Sequence, residues 1–235
     1  EIAQCLVGSE MCIRDRLTMS YMGTDAIVMR HSAEGAPLYA TKAVDPIIIN
    51  AGDGAHEHPT QALLDMYSIL EKKESIEGLK VVILGDIMHS RVARSNIYGL
   101  TKMGADVHLA GPRTMVYPEL EKLGVTVHHD IREAVADADV VNVLRIQLER
   151  IHSALYPTNR EYARIFGINS DVLKLAKDDV MVMHPGPMNR GLEIAPDVAY
   201  SDQSVIQEQV RNGVAIRMAV LYLTIIGGDG SELAY

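Results

Sequence analysis

The chain has 235 residues, 48% of them hydrophobic and 23% charged, which supports a packed core and excludes a disordered tract or a disulfide-stapled mini-protein. Its net charge of −9 argues against binding nucleic acid or anionic membranes through overall charge, while a local group of arginines can still take a small anion. Two cysteines, Cys5 and Cys12, cannot build a disulfide framework and fit a reducing, cytoplasmic compartment; the longest strongly apolar stretch, Met218 to Gly228, is too short to cross a bilayer.

Residues 1–16 have no usable period and read as a non-native leader. From there, short apolar runs alternate with longer amphipathic segments, the pattern of parallel strands covered on both faces by helices, so an α/β fold is expected. The predicted strands are Asp25 to Met29, Ile47 to Asn50, Val81 to Gly85, Val107 to Ala110, Val125 to His128, Val140 to Leu144 and Val180 to His184. A helix is predicted from Pro59, whose ring suits a first helical position, to about Lys72. On it Ala62, Met66, Ile69 and Leu70 form the expected core stripe, with His58, Gln61 and Asp65 along another face. The charged segment Lys73 to Lys80, with Gly78, marks a domain boundary. A C-terminal helix, about Ser204 to Ile226, carries Ile206, Val210, Val214 and Leu221 as the stripe expected to pack back on the first domain.

In open parallel sheets ligands bind just beyond the carboxyl ends of the strands, and there the polar residues gather: Arg30-His31, Asn50 to Asp53, Gly85-Asp86, Arg145 and His184-Pro185. His56-Glu57-His58 lacks the helical spacing of a His-Glu-x-x-His zinc site. His58 then reads either as a helix cap or as a hydrogen-bond donor to a carbonyl or phosphate oxygen. The strand ending at Gly85 is not followed by Gly-x-Gly-x-x-Gly, which argues against a nicotinamide cofactor. Arg91 and Arg94 instead open the next helix, where the dipole favours anions, and one of the two is expected to be a surface ion pair. Arg145 and Gln147 project to one side of an extended segment, either as ligands of a dicarboxylic acid together with Arg91 or as part of a solvated loop. The Pro- and Gly-rich run from Met183 to Arg190 is either a stiff turn or a set of carbonyls able to receive an amine. His128, His129 and His152 receive no assignment.

Four segments together carry a resemblance: Asn50 to Gly54 with His58-Pro59-Thr60-Gln61-Ala62-Leu63-Leu64-Asp65; Gly85-Asp86 with Ser90-Arg91-Val92-Ala93-Arg94-Ser95-Asn96; Leu144-Arg145-Ile146-Gln147 with Glu149-Arg150; and His184-Pro185-Gly186-Pro187 with Asn189-Arg190-Gly191. In this order they resemble the aspartate carbamoyltransferase catalytic chains, from about Leu17 to Gly227. Ornithine carbamoyltransferases share the fold and the His-Pro-x-Gln element but have a His-Cys-Leu-Pro turn where this chain has His184-Pro185-Gly186-Pro187.

The resemblance implies two doubly wound parallel-sheet domains, the first incomplete: 17–76 for carbamoyl phosphate, 77–203 for aspartate, and 204–235 as a C-terminal helix returning to the first domain. It implies carbamoyl transfer to the amine of L-aspartate in pyrimidine synthesis, with no cofactor and no metal. Carried over residue by residue, Arg30, His58 and Gln61 bind carbamoyl phosphate, with Arg30 and His58 catalytic. Arg91, Arg145 and Gln147 hold aspartate, and the Gly186-Pro187 carbonyls orient its amine. A homotrimer is implied, with regulatory or dihydroorotase chains as further partners. The family's Ser-Thr-Arg-Thr phosphate loop and its Ser…Lys loop are absent from these residues, so an N-terminally truncated form with weak phosphate binding is expected. The alternative is a catalytically dead member that binds a ligand or a partner enzyme.

Overall fold

The computed structural model describes residues 17–146 and 158–227. Residues 1–16 with both cysteines, and also Gln147 and His152, lie outside the described residues. A two-stranded parallel sheet pairs β1 (Ala26–His31) with β2 (Ile47–Asp53), joined through α1 (Ala36–Ala40). α2 (Pro59–Lys73) follows, with proline in its first turn and Glu74 closing it at φ 65°. The second sheet is five-stranded and parallel, in the order β5-β4-β3-β6-β7. Its strands are β3 (Lys80–Leu84), β4 (Asp106–Ala110), β5 (Thr126–His128), β6 (Val140–Val143) and β7 (Met181–Met183). Each predicted strand is present, with no end displaced by more than three residues.

The runs of valine and isoleucine explain this sheet. A strand covered on both faces must be apolar at consecutive positions, and Val81, Val82, Ile83 and Leu84 of β3 are all buried. Val81 and Ile83 pack with Ile97, Leu100 and Met115 on one side, while Val82 and Leu84 pack with Ile131, Val135 and Leu173 on the other. Helix α3 (Arg91–Lys102) connects β3 to β4, and α4 (Ile131–Val135) leads into β6. Helices α5 (Asn159–Phe166), α6 (Ser170–Leu173) and α7 (Pro196–Ala199) flank β7, and α8 (Ile206–Ile225) closes the described chain. The chain builds outward from β3 to β4 and β5, then returns to lay β6 on the opposite side of β3. That reversal opens a crevice beyond the carboxyl ends of β3 and β6, the usual ligand position in such a sheet.

Two expectations about helix faces are corrected. α8 does return to α2, but through Ile206, Gln209, Asn212 and Gly213, its buried residues. Beyond Ile206 the expected apolar stripe faces outward, with Val210 71% and Val214 60% exposed. Amides form the contact instead: Gln209 Nε2 donates to Asp65 at 2.8 Å and Asn212 Nδ2 to Ser68 at 3.0 Å. On α2, Ala62 and Ile69 are buried as expected, yet Leu70 is partly exposed while Gln61 and Asp65 are buried.

Candidate active site

The loop between β2 and α2 is built on Asp53. Its carboxylate accepts from Asn50 Nδ2, from the backbone N–H groups of Gly35 and Glu57, and contacts His56 Nδ1. Burial pushes this carboxyl up, but those donors outweigh it and hold Asp53 below the ordinary aspartate value. Gly54 N–H then donates to His31 O at 2.9 Å, tying the loop to the end of β1. The register of β1 shifts between Met29 and His31, an irregularity at Arg30 of the kind that re-aims a side chain at a strand end. Arg30 and His58 thus end on one edge of the small sheet.

His58 occupies the N-cap position of α2 without making a side-chain capping bond, which removes the helix-cap reading. Its backbone N–H donates to Ser95 Oγ at 2.8 Å, and Ser95 Oγ donates to Glu57, so the start of α2 is pinned to α3. Arg94, half exposed, lies 3.9 Å from Glu57, the surface ion pair expected of one of the two arginines. Arg91 is buried, follows the Ser90 N-cap, and donates from Nη1 toward Gly54 O at 3.5 Å. Its guanidinium lies against Gly52 so closely that a Cβ there would be 2.7 Å from Nε. Gly52, at φ 115°, therefore answers two demands at once, backbone conformation and close approach.

Burial and the positive charges of Arg91, Arg30 and Arg217 lower the His58 pKa to about 4. The ring is neutral at physiological pH, and its Nδ1 is buried without a hydrogen-bond partner among the described residues. A neutral imidazole beside three guanidinium groups suits a small anion with a carbonyl to polarise. His56, Glu57 and His58 each face different neighbours, and the described residues contain no cluster of three or more His, Cys, Asp or Glu arranged to hold a metal.

Across the crevice, Arg145 follows β6, and the turn from His184 follows β7. Asn189 Nδ2 donates to Ile146 O at 2.9 Å, bringing that turn beside Arg145. His184 Nδ1 accepts from Gly186 N–H, which assigns the ring proton to Nε2, 3.2 Å from the buried Glu193. Gly186 and Pro187 are exposed on this turn. A cavity of about 410 Å³ between α4, α5 and α6 is lined by His129, Arg132 and Arg164, residues apart from those at His58.

Sequence reasoning missed Arg217, which reaches His58 electrostatically from α8, and the buried amides Asn142 and Gln209, and it marked the buried Asn96 only as part of a motif, with no role. Arg217 was legible only as a lone basic residue in the apolar second half of its helix; the amides have no periodic signature.

Two parallel-sheet α/β units with a buried imidazole in the field of three arginines define a doubly wound α/β protein with an anion-receptive crevice. Residues 7–71 match the family model described as aspartate/ornithine carbamoyltransferase, carbamoyl-P binding domain, and residues 77–224 match its Asp/Orn binding domain. The chain belongs to the aspartate/ornithine carbamoyltransferase family. It is 60% identical over 218 residues to the aspartate carbamoyltransferase catalytic subunit of Desulforamulus reducens, covering 93% of this chain and 70% of that one. The Heliobacterium modesticaldum catalytic subunit is 60% identical over 226 residues, 96% and 72% of the respective chains. Among solved structures, ornithine carbamoyltransferase from Pyrococcus furiosus matches with a TM-score of 0.81 at 32% identity, over 96% of this chain and 74% of that one. Aspartate transcarbamoylase from Trypanosoma cruzi in complex with carbamoyl phosphate matches at 0.78 and 29%, over 92% and 70%.

Proposed function

We propose that this chain transfers a carbamoyl group from carbamoyl phosphate to the amine of L-aspartate, giving N-carbamoyl-L-aspartate and phosphate, a step of pyrimidine synthesis. The observation that carries this reading is the buried His58 at the start of α2, whose Nδ1 has no partner among the described residues and whose pKa is lowered by burial and by the charges of Arg91, Arg30 and Arg217. Arg30 and His58 donate to the phosphate and carbonyl oxygens of carbamoyl phosphate, and Gln61 accepts from its amino group. Arg91 and Arg145 take the two carboxylates of aspartate, with Gln147 beside them, and the Gly186-Pro187 carbonyls receive its amine. Guanidinium forks favour a dicarboxylate and repel a second substrate with a cationic side chain, which supports aspartate over ornithine.

The aspartate ammonium first loses a proton to solvent at the exposed Gly186-Pro187 turn. Its lone pair then attacks the carbonyl carbon, a C–N bond forms, and the negative charge developing on the carbonyl oxygen is met by His58 and Arg30. The C–O bond to phosphate breaks and a proton from the new C–N nitrogen leaves with the phosphate. Holding both anions in place supplies the orientation part of the acceleration. The assembly is read as a cytoplasmic homotrimer, with regulatory or dihydroorotase chains as candidate further partners. No described helix is long and apolar enough to cross a membrane. The test is to supply carbamoyl phosphate with either aspartate or ornithine. Carbamoyl-aspartate alone is expected; citrulline, or no product from either amine, overturns the reading.

A further inference from the structure

Asp65 is fully buried at the meeting point of four elements. Its Oδ1 accepts from Gln61 Nε2 of α2 at 2.9 Å and from Gln209 Nε2 of α8 at 2.8 Å, and its Oδ2 accepts from Asn96 Nδ2 of α3 at 2.7 Å. Asn142 of β6 also helps to lower its pKa. An ionised carboxylate is acceptor-only, so each amide that touches it must present its NH2 group. That constraint fixes what the amides offer elsewhere. Gln209 Oε1 accepts from the backbone N–H of His184 at 3.0 Å, the first residue of the turn after β7. Gln61, with one Nε2 hydrogen held by Asp65, has its amide oriented so that its oxygen points away from that carboxylate.

We propose that Asp65 is a positioning residue for carbamoyl transfer: by accepting from Gln61 and Gln209 together, it turns the Gln61 oxygen toward the carbamoyl amino group and anchors the turn that receives the aspartate amine. This rests on the function proposed above, because the ligand roles of Gln61 and of the turn belong to that reading. The groups that lower its pKa are the amides Asn96, Gln209, Gln61 and Asn142, from α3, α8, α2 and β6. Burial dominates and raises its pKa to about 6, against the lowering by Asn96, Gln209, Gln61 and Asn142. Protonation therefore reverses one hydrogen bond in the network near that pH. The buried Oδ1 atoms of Asn96 and Asn142, which lack partners among the described residues, are ready acceptors for the new O–H.

The experiment uses the full chain with Asp65→Asn and Asp65→Leu, beside Gln61→Ala and Gln209→Ala as assignment controls. In 15N-labelled protein, the side-chain NH2 resonances of Gln61 and Gln209 are expected to titrate together with one midpoint near 6. That shared titration disappears in Asp65→Asn. In kinetics, Asp65→Leu raises KM for carbamoyl phosphate and for aspartate by roughly 10- to 100-fold, as a misplaced substrate-positioning group does. Asp65→Asn keeps an acceptor for both glutamines and restores most of that loss. A purely structural role would lower the yield of folded protein and kcat while leaving both KM values unchanged, and that result overturns the proposal. Independent titration of the two amides overturns it as well. Because the resonance titration needs no turnover, a wild-type protein that forms no product counts against the proposed function, and the coupled titration still decides the role of Asp65.

Discussion

At the scale of single residues, the site separates recognition from chemistry. Arg145 follows β6 beside the Asn189-anchored turn, and its planar fork suits a carboxylate. Arg145→Ala is expected to weaken aspartate saturation far more than carbamoyl phosphate binding, since a lost charged hydrogen bond to a buried ligand costs about 2 to 5 kcal/mol. His58→Ala should instead lower turnover by about 10² to 10³, the effect of removing an oxyanion donor. Steady-state kinetics with each substrate varied in turn checks both. An unchanged aspartate curve would remove Arg145 from the site, and a His58 defect confined to aspartate affinity would contradict its role.

The same residues set an acid dependence of stability with opposing parts. His58 titrates at about 4 in the fold against 6.5 ordinarily, so its contribution is present above 6.5 and is lost as pH falls toward 4. Asp65 titrates at about 6 against 3.8, so its contribution is fully present below 3.8 and is lost as pH rises through 6. Each is worth on the order of 3 kcal/mol at 1.36 kcal/mol per pKa unit. Between pH 7.5 and 5, acidification should therefore destabilise Asp65→Asn more than wild type and should favour His58→Ala. Urea unfolding at both pH values reads this directly, and parallel losses in all three proteins would refute it.

At the scale of elements, the small sheet and α3 meet where Arg91 lies over Gly52. Gly52→Ala places a Cβ against that guanidinium and holds a side chain at φ 115°, a strain of roughly 1 to 3 kcal/mol. The variant should melt lower and need more aspartate, because Arg91 is displaced. Gly78→Ala is the control: its φ is 76° but no atom lies within 4 Å, so it should lower Tm and leave the aspartate KM alone. Equal KM values for the two variants would show that Arg91 has no part in aspartate binding. The α2–α8 contact follows another logic, since Asp65, Ser68, Gln209 and Asn212 join these helices by hydrogen bonds where an apolar seam was expected. Such a network tolerates little change, because each deleted partner leaves a buried polar group unsatisfied at about 1 to 3 kcal/mol.

At the scale of the whole molecule, the described chain keeps a large apolar surface outside its core. Val210, Val214, Met218 and Leu221 run along α8, and Leu38, Tyr39, Leu63 and Tyr67 are exposed on α1 and α2. Contiguous apolar patches of this kind drive association. The isolated 235-residue chain is expected to bind a hydrophobic dye and to self-associate. Val214→Lys with Met218→Lys should reduce both without changing the far-ultraviolet dichroism. Unchanged light scattering in that variant would place the association elsewhere.

The sequence by itself determined the parallel α/β class, the strands of the larger sheet and the start of α2. Consecutive buried positions demand uninterrupted apolar runs, and proline at a helix start is a local preference. It also marked the motif residues at the strand ends, because in this architecture chemistry gathers there. Only the tertiary structure decided which face of α8 is buried, that His58 is neutral, and that Asp65 joins four elements. An apolar stripe records hydrophobicity but not whether a partner covers it, and a pKa depends on burial and on arginines brought from β1, α3 and α8. Asp65 and Gln209 stand 144 positions apart, and no local pattern links a carboxylate to an amide at that distance.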